Sequence, residues 1–194
     1  IRSQLNPHFV YNTMSSIHNL ILSDRSEQAS QYLAELAGLM RAVLNQTKKG
    51  IISLEEELAT IRQYCKLEAL RKSFAWNIKV DQSVDLHNTD IPALLLQPYV
   101  ENAIIHGLRG KEEDGKIDLI ITQKNGSLDI IIQDNGIGIA ENQYRSLGGN
   151  HLGLHLNRKR LELLYGKLAK VIIQDLNHLK KGKRGTQVAI NIPI

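Results

Sequence analysis

With 194 residues the chain can bury the core of one domain or of two small ones. Apolar residues at 42% and charged residues at 23% match ordinary globular usage, which excludes a disordered or collagen-like chain. A formal charge of +4 with only 5% aromatic residues permits an anionic ligand but argues against a nucleic-acid binder, which needs a denser basic face and stacking aromatics.

The single cysteine, Cys65, has no partner for an internal disulfide, so a reducing compartment is expected and the thiol reads as structural. No apolar run reaches the roughly 20 residues of a membrane-spanning helix; IPALLLQPYV comes nearest and is too short. No signal peptide is visible. Beginning at Ile1 inside a helical lead-in, the chain reads as a fragment of a larger protein whose remaining part holds sensing or membrane segments.

LNPHFVYN opens the first element. Asn6 can cap a helix, and Pro7 suits its first position, where the missing amide hydrogen would be unpaired anyway. From the residues alone His8 can be a core-facing side chain, a metal ligand or a nucleophile presented for chemistry. Phe9 or Val10, then Met14, Ile17 and Ile21 recur at helical spacing, and the helix continues through Leu33, Leu36, Met40 and Leu44, broken or bent near LSDRSEQ. A second helix starts at Ser53, where SLEE forms a capping box with Glu56, and carries Leu54, Leu58, Ile61 and Cys65. Joined by QTKKG, with Gly50 near the turn, the two read as a helical hairpin. Two helices have little core alone, so dimerisation into a four-helix bundle is the simplest way to bury both stripes.

After LRKS the period changes to alternation at Trp76, Ile78 and Val80, which sets a boundary near Ser73 and divides the chain into residues 1–72 and 73–194. A helix around PYVENAIIHGL follows, with Pro98 in its first turn or kinking it. KIDLIITQ and SLDIIIQD read as strands, and the KNG between them is a strong hairpin signal. DNGIGIAENQYRSLGGN is a glycine-rich loop, LGLHLNRKRLELLYG a helix, and KVIIQDL and TQVAINI are closing strands. The fold class expected is α+β: the hairpin, then an α/β sandwich of one mixed sheet covered on one face.

Several of these residues could carry chemistry. ENAIIHG groups Glu101, Asn102 and His106, the last two on one helical face. A carboxylate beside an amide oxygen suits a magnesium–phosphate site, although alone the stretch is better explained as a polar face stopped by Gly107. DNGIGI sets Asp134 ahead of Gly136 and Gly138: an aspartate can accept from an exocyclic amine such as that of adenine, and glycines let a flat ring approach the backbone. Alone it is also ordinary turn chemistry. GLHLNRKRL opens a helix whose amide-rich start favours phosphate, and KRGTQV brings Gly185 and Thr186 to the last strand. His18 fits the bundle surface or seam, His87 a polar loop, and His155 and His178 have no carboxylate or cysteine cluster around them, so no structural zinc is expected. KKGKRG, residues 180–185, reads first as a solvated hairpin loop and second as a triphosphate contact.

In order and spacing, ENAIIHG, DNGIGI, LGL and RGTQV resemble the N box, the two glycine boxes and the closing strand of the GHKL-type ATP-binding fold of histidine kinases. With LNPHFVYNTMSSIHNLI, SLEEELATIRQYCKLEALRKS, IPALLLQPYVENAIIHGL and LELLYG included, the chain resembles the LytS/YehU-type sensor histidine kinases over nearly its whole length. The resemblance implies that His8 is the phosphoacceptor, that ATP and Mg²⁺ are bound, and that Asn102 holds the metal while Glu101 and His106 shape the phosphate side. It implies that Asp134 receives the adenine amine over a floor of Gly136 and Gly138, that Gly153, Leu154 and Thr186 complete the pocket, and that Ala140 to Leu152 form an ATP lid. It also implies a homodimer, a response regulator of the LytTR type that makes any DNA contact itself, and a cytoplasmic core anchored by a membrane segment elsewhere in the protein.

Two positions depart from the family. His151 stands where a lid glycine is expected, and Leu156 where an asparagine is, with Asn157 one place later. A helix turns about 100° per residue, so Asn157 does not simply replace an asparagine at 156. A degenerate kinase acting as a nucleotide-sensing or scaffold dimer is therefore the second reading. A chaperone or mismatch-repair type of GHKL ATPase is disfavoured, since neither needs a front hairpin carrying NPHF.

Overall fold

A computed structural model describes residues 6–111, 114–139, 152–176 and 182–194. Helix α1 spans Pro7–Leu22, and it starts as the sequence indicates: the Asn6 side chain accepts from the His8 amide at 3.0 Å and Pro7 takes the first helical position. It ends at Ser23–Arg25, where Asp24 adopts φ 56°, and α2 (Ser26–Lys49) packs back against α1. The expected break is thus sharp enough to give three helices in place of two. Gly50, at φ 77°, ends α2 in a conformation that favours glycine.

After a short strand β1 (Ile51–Ser53), α3 (Leu54–Glu68) begins with the expected capping box: Ser53 Oγ accepts from the Glu56 amide, and the Glu56 carboxylate accepts from the Ser53 amide. Buried Gln46 of α2 donates to Thr60 Oγ1 at 2.7 Å and to the Glu56 carbonyl at 3.0 Å, while Gln63 donates to the Glu35 carbonyl at 2.8 Å. These bonds set α3 antiparallel to α2. At the far end Phe9 stacks on Tyr64 with ring centroids 4.6 Å apart, which fixes the start of α1 against α3.

The apolar positions read as one stripe divide into two faces. Phe9, Ile17, Leu36, Leu54, Leu58, Ile61 and Cys65 are buried, whereas Met14, Ile21, Leu33, Met40 and Leu44 remain open to solvent. The buried side of α2 is completed by Leu39 and Val43, which lie outside the stripe expected from the sequence. Successive residues rotate by about 100°, so Leu36, Leu39 and Val43 define one face and Leu33, Met40 and Leu44 the next.

The second half is built on a five-stranded mixed sheet in the order β2-β4-β5-β7-β6, from β2 (Ala75–Val80), β4 (Lys116–Lys124), β5 (Ser127–Asp134), β6 (Lys170–Asp175) and β7 (Thr186–Pro193). β2 runs parallel to β4 and the other pairs are antiparallel. The β4–β5 turn places Asn125 at φ 53° and Gly126 at φ 72°, the conformation that makes Asn-Gly a hairpin turn. Ile117, Leu119, Ile121, Leu128, Ile130, Ile132, Val188, Ile190 and Ile192 alternate onto one buried face. That face packs beneath α4 (Gln97–Asn102), the single π turn Ala103–Gly107 that continues it, and α5 (Leu152–Tyr165). A second ladder, unmarked in the sequence, pairs β1 with β3 (Asp90–Pro92) and ties the helical half to the sheet half. Among the described residues no helix is long and apolar enough to cross a membrane.

Candidate functional site

The alternation of β5 ends on Asp134, which the strand carries onto the buried face beside Ile132. Its Oδ1 accepts from the Gly136 amide at 2.9 Å and the Thr186 amide at 3.2 Å. Burial holds this carboxyl above its ordinary pKa, against the amides of Gly136 and Thr186 and the Thr186 hydroxyl, which favour the ionised form. Backbone then crowds the aspartate. A Cβ at Gly136 would lie 1.8 Å from the Gly107 carbonyl oxygen, and one at Gly185 would lie 1.9 Å from that of Asp134. The Ile137 amide donates to the Gly107 carbonyl at 2.9 Å, so the glycine loop is stitched to the end of the π turn.

These groups border a cavity of about 340 Å³. Its walls include Asn102 and His106 from α4 and the π turn, Asp134 from the end of β5, Gly138 from the loop after it, Leu154 from α5 and Thr186 from β7. Gly138 sits at φ 76°, and a Cβ there would come 2.2 Å from the Asp175 carboxylate, which accepts from the Ile139 amide at 2.8 Å. The apolar floor was missed in the sequence. Ile132, Val188 and Ile173 line the cavity from three neighbouring strands, and the register pairs Ile132 with Val188 and Val188 with Ile173. Strand alternation counted back from Asp134 identifies Ile132; the other two depend on the strand order.

Other expected residues lie elsewhere. Glu101 is next to Asn102 but turns away from the cavity lining, accepting from Gln97 Nε2 at 2.9 Å. Burial pushes its carboxyl up to about 7, with the Glu68 carboxylate adding in the same direction and the Gln97 bond opposing. Gly136 acts through its close backbone approach and not as lining. Gly153 lies in the first turn of α5. His8 is on the exposed side of α1, away from the cavity lining, with Asn12 Nδ2 3.1 Å from its Nδ1 and 3.4 Å from its Nε2. The expected lid, Ala140 to Leu152, falls outside the described residues apart from the helical backbone of Leu152, and His151 falls outside them too.

Residues 1–74 match the family model described as histidine kinase, and residues 88–194 match that of the histidine kinase-, DNA gyrase B-, and HSP90-like ATPases. The chain is 32% identical over 203 residues to the sensor protein LytS of Staphylococcus epidermidis, covering 100% of this chain and 33% of that protein. The chain belongs to the sensor histidine kinase family. The sensor histidine kinase YesM of Bacillus subtilis is 30% identical over 193 residues, again covering 100% of this chain and 32% of the relative, so the chain spans about a third of the relatives it matches. Among solved structures, the histidine kinase domain of the blue-light activated kinase EL346 from Erythrobacter litoralis superposes with a TM-score of 0.55 at 19% identity, covering 96% of this chain and 91% of that one. The histidine kinase ThkA in complex with the response regulator protein TrrA gives 0.54 at 17% identity, covering 96% and 59%.

For a sensor kinase core, the departure at Leu156 has a local explanation. Leu156 points outward from α5 and is 55% exposed. Asn157 is buried and donates from Nδ2 to the Leu95 carbonyl at 2.6 Å, so its amide serves the loop before α4. The rotation of about 100° between neighbours sends the two side chains to different surroundings.

Proposed function

We propose that this chain is the catalytic core of a dimeric sensor histidine kinase that transfers the γ-phosphoryl group of ATP to His8 and then to an aspartate of a response regulator. The observation that carries the reading is the buried Asp134 carboxylate, set among close-packed glycine backbone at one end of an apolar cavity whose wall bears Asn102. The cradle fits adenine. Ile132, Val188 and Ile173 provide a flat apolar floor, Asp134 provides an acceptor for the exocyclic amine, and the space next to Gly138 would be filled by any larger side chain.

Asn102 would hold Mg²⁺ through its amide oxygen, with His106 at the phosphate side and Glu101 behind them; when bound, the metal neutralises charge on the phosphates. The first turn of α5, with Gly153 and Leu154, would close over the nucleotide. Attack requires a lone pair on the His8 nitrogen that faces the phosphorus. The Asn12 amide, turned so that its oxygen accepts from Nδ1–H, leaves that lone pair on Nε2 and holds the ring still. A bond then forms between Nε2 and the γ-phosphorus as the bond to the β-phosphate oxygen breaks, ADP leaves, and the imidazole gives up its Nδ1 proton. Glu101 would act as the acceptor once the two halves dock.

The division at 72/73 separates the phosphoacceptor hairpin from the ATP-binding domain, although the β1–β3 ladder crosses it. The apolar face of Met14, Ile21, Leu33, Met40 and Leu44 supports a homodimeric four-helix bundle. The ThkA–TrrA complex supports a response regulator as partner; for this chain we infer one of the LytTR type, with the whole protein membrane-anchored. Incubation with γ-labelled ATP and Mg²⁺ tests the reading: acid-labile, alkali-stable label is expected on the wild type and absent from His8→Gln. Equal labelling of both would overturn it.

A further inference from the structure

Residues 93–96 form neither helix nor strand, yet all four are buried. Irregular backbone in an interior must find a partner for each N–H and C=O, because water cannot serve them. The partners come from two sides. On one side Glu57 of α3, fully buried, accepts from the Leu94 and Leu96 amides at 2.8 Å each. On the other side, α5 contributes Asn157, donating to the Leu95 carbonyl, and Arg160 Nη1, donating to the Ala93 carbonyl, both at 2.6 Å. Arg160 Nη2 reaches on to the Gly50 carbonyl at 2.6 Å, and that carbonyl also accepts from the Ala93 amide at 2.9 Å. Leu94 is held at φ 57°, a conformation a leucine keeps only when its surroundings enforce it.

The loop feeds directly into α4, which carries Glu101 and Asn102. α3 belongs to the hairpin that bears His8, and α5 brings Leu154 to the opposite cavity wall. We propose that Glu57, Asn157 and Arg160 are positioning residues that clamp the 93–96 loop between α3 and α5, keeping both walls of the nucleotide cavity and the phosphoacceptor hairpin in one register. The inference rests on the ATP-dependent kinase reading above. The two sides of the clamp have separable effects. Release from α5 lets the cavity walls part, which weakens nucleotide binding. Release from α3 leaves the cavity joined but frees the hairpin, which slows transfer to His8.

Two near-isosteric variants of the same 194-residue chain separate the sides. Asn157→Asp removes the donor and sets a carboxylate against the Leu95 carbonyl; Glu57→Gln turns one acceptor into an NH₂ group facing an amide N–H. Calorimetric titration with Mg-ATP should show Asn157→Asp weakened about ten-fold, the scale of one buried hydrogen bond lost with its acceptor left unpaired. Its labelling of His8 at saturating ATP should stay close to wild type. Glu57→Gln should keep the wild-type dissociation constant and label His8 about ten-fold more slowly. Hydrogen exchange of the Leu94 and Leu96 amides should quicken in Glu57→Gln while the β4 and β5 amides keep their protection, and ATP should slow exchange at these two amides in the wild type only. If Glu57→Gln fails to fold, Glu57→Asp, which keeps both carboxylate oxygens but draws them back by one methylene from the Leu94 and Leu96 amides, should slow labelling in the same direction. Variants that bind, label and exchange like a fully active wild type overturn the clamp and leave the kinase reading intact. A wild type that neither binds ATP nor labels overturns both.

Discussion

A β-carbon on Gly107 would stand 2.8 Å from Cγ of Asp134, so the end of the π turn and the end of β5 meet with backbone against carboxylate. The contact is completed by Gly136, whose own Cβ would fall 1.8 Å from the Gly107 carbonyl oxygen. Gly136→Ala therefore forces apart the two segments that frame the Asp134 end of the cavity, where we propose that adenine binds. Overpacking of this kind costs about 1–3 kcal/mol, which for a chain of this size lowers the melting temperature by roughly 2–12 °C. ATP binding should be lost in the same variant. Gly110→Ala is the control: at φ 76° it meets nothing within 4 Å, so it should cost stability through backbone strain alone and leave ATP affinity unchanged in calorimetry.

Asp134→Asn separates the two duties of that side chain. The amide oxygen can still accept from the Gly136 and Thr186 amides, so the loop after β5 keeps its anchor. Removing a carboxyl whose ionisation is disfavoured by burial leaves the melting temperature equal to or above wild type. Affinity for ATP should nevertheless fall by about ten- to a hundred-fold, because an NH₂ group now faces the exocyclic amine where an acceptor is required. A drop in melting temperature with affinity retained would remove Asp134 from the adenine site.

Much of this site could be read along the chain because its residues are local in sequence. Asp134 and its glycines lie in one short stretch, Asp134–Gly138, at a strand end, Asn102 and His106 share a helix face, and the Asn6–Pro7 cap and the Ser53–Glu56 box are short-range hydrogen-bond patterns. What could not be read depends on strand order or on distant pairing. The floor of Ile132, Val188 and Ile173 exists only once β7 is placed between β5 and β6. The break near Asp24 was legible in LSDRSEQ, but the fold-back of α2 onto α1 was not, since that stretch carries no glycine or proline to mark a tight turn. The role of Asn157, one place past the expected family asparagine, depends on the Leu95 carbonyl of the 93–96 loop, 62 positions earlier, which accepts from it.

Glu101 gives the pH dependence a definite sign. Burial pushes its pKa from an ordinary 4.5 up to about 7, with Glu68 adding and Gln97 opposing. Between those values the folded chain retains a proton that the unfolded chain has released, so this contribution to stability is complete below about pH 4.5 and is lost as pH rises through 7. Glu57, also pushed up to about 7 by burial, and Asp134 act in the same direction. Glu56, lowered by its bond to Lys49, acts oppositely and below its ordinary 4.5. The melting temperature should accordingly decline from mildly acidic to mildly alkaline buffer. Glu101→Gln, which keeps a carbonyl oxygen for Gln97, should make that decline shallower; a slope equal to wild type would show that Glu101 does not titrate in this window.

The open face of the helical half makes the last prediction. Met14, Ile21, Leu33, Met40 and Leu44 are between 39% and 54% exposed, on α1 and α2. Leu36, Leu39 and Val43, one face round on α2, are buried within the chain, so the outer row adds little to the stability of a single copy. A second copy laid against it would bury the row in a four-helix bundle, the arrangement that α1 and α2 cannot reach alone. Leu33→Glu combined with Leu44→Glu would set carboxylates into that seam. Sedimentation should show the wild type as a dimer and the double variant as a monomer, with helical circular dichroism and ATP affinity unchanged. A wild type that sediments as a monomer well above micromolar concentration, or a double variant that stays dimeric, would place the dimer contact elsewhere.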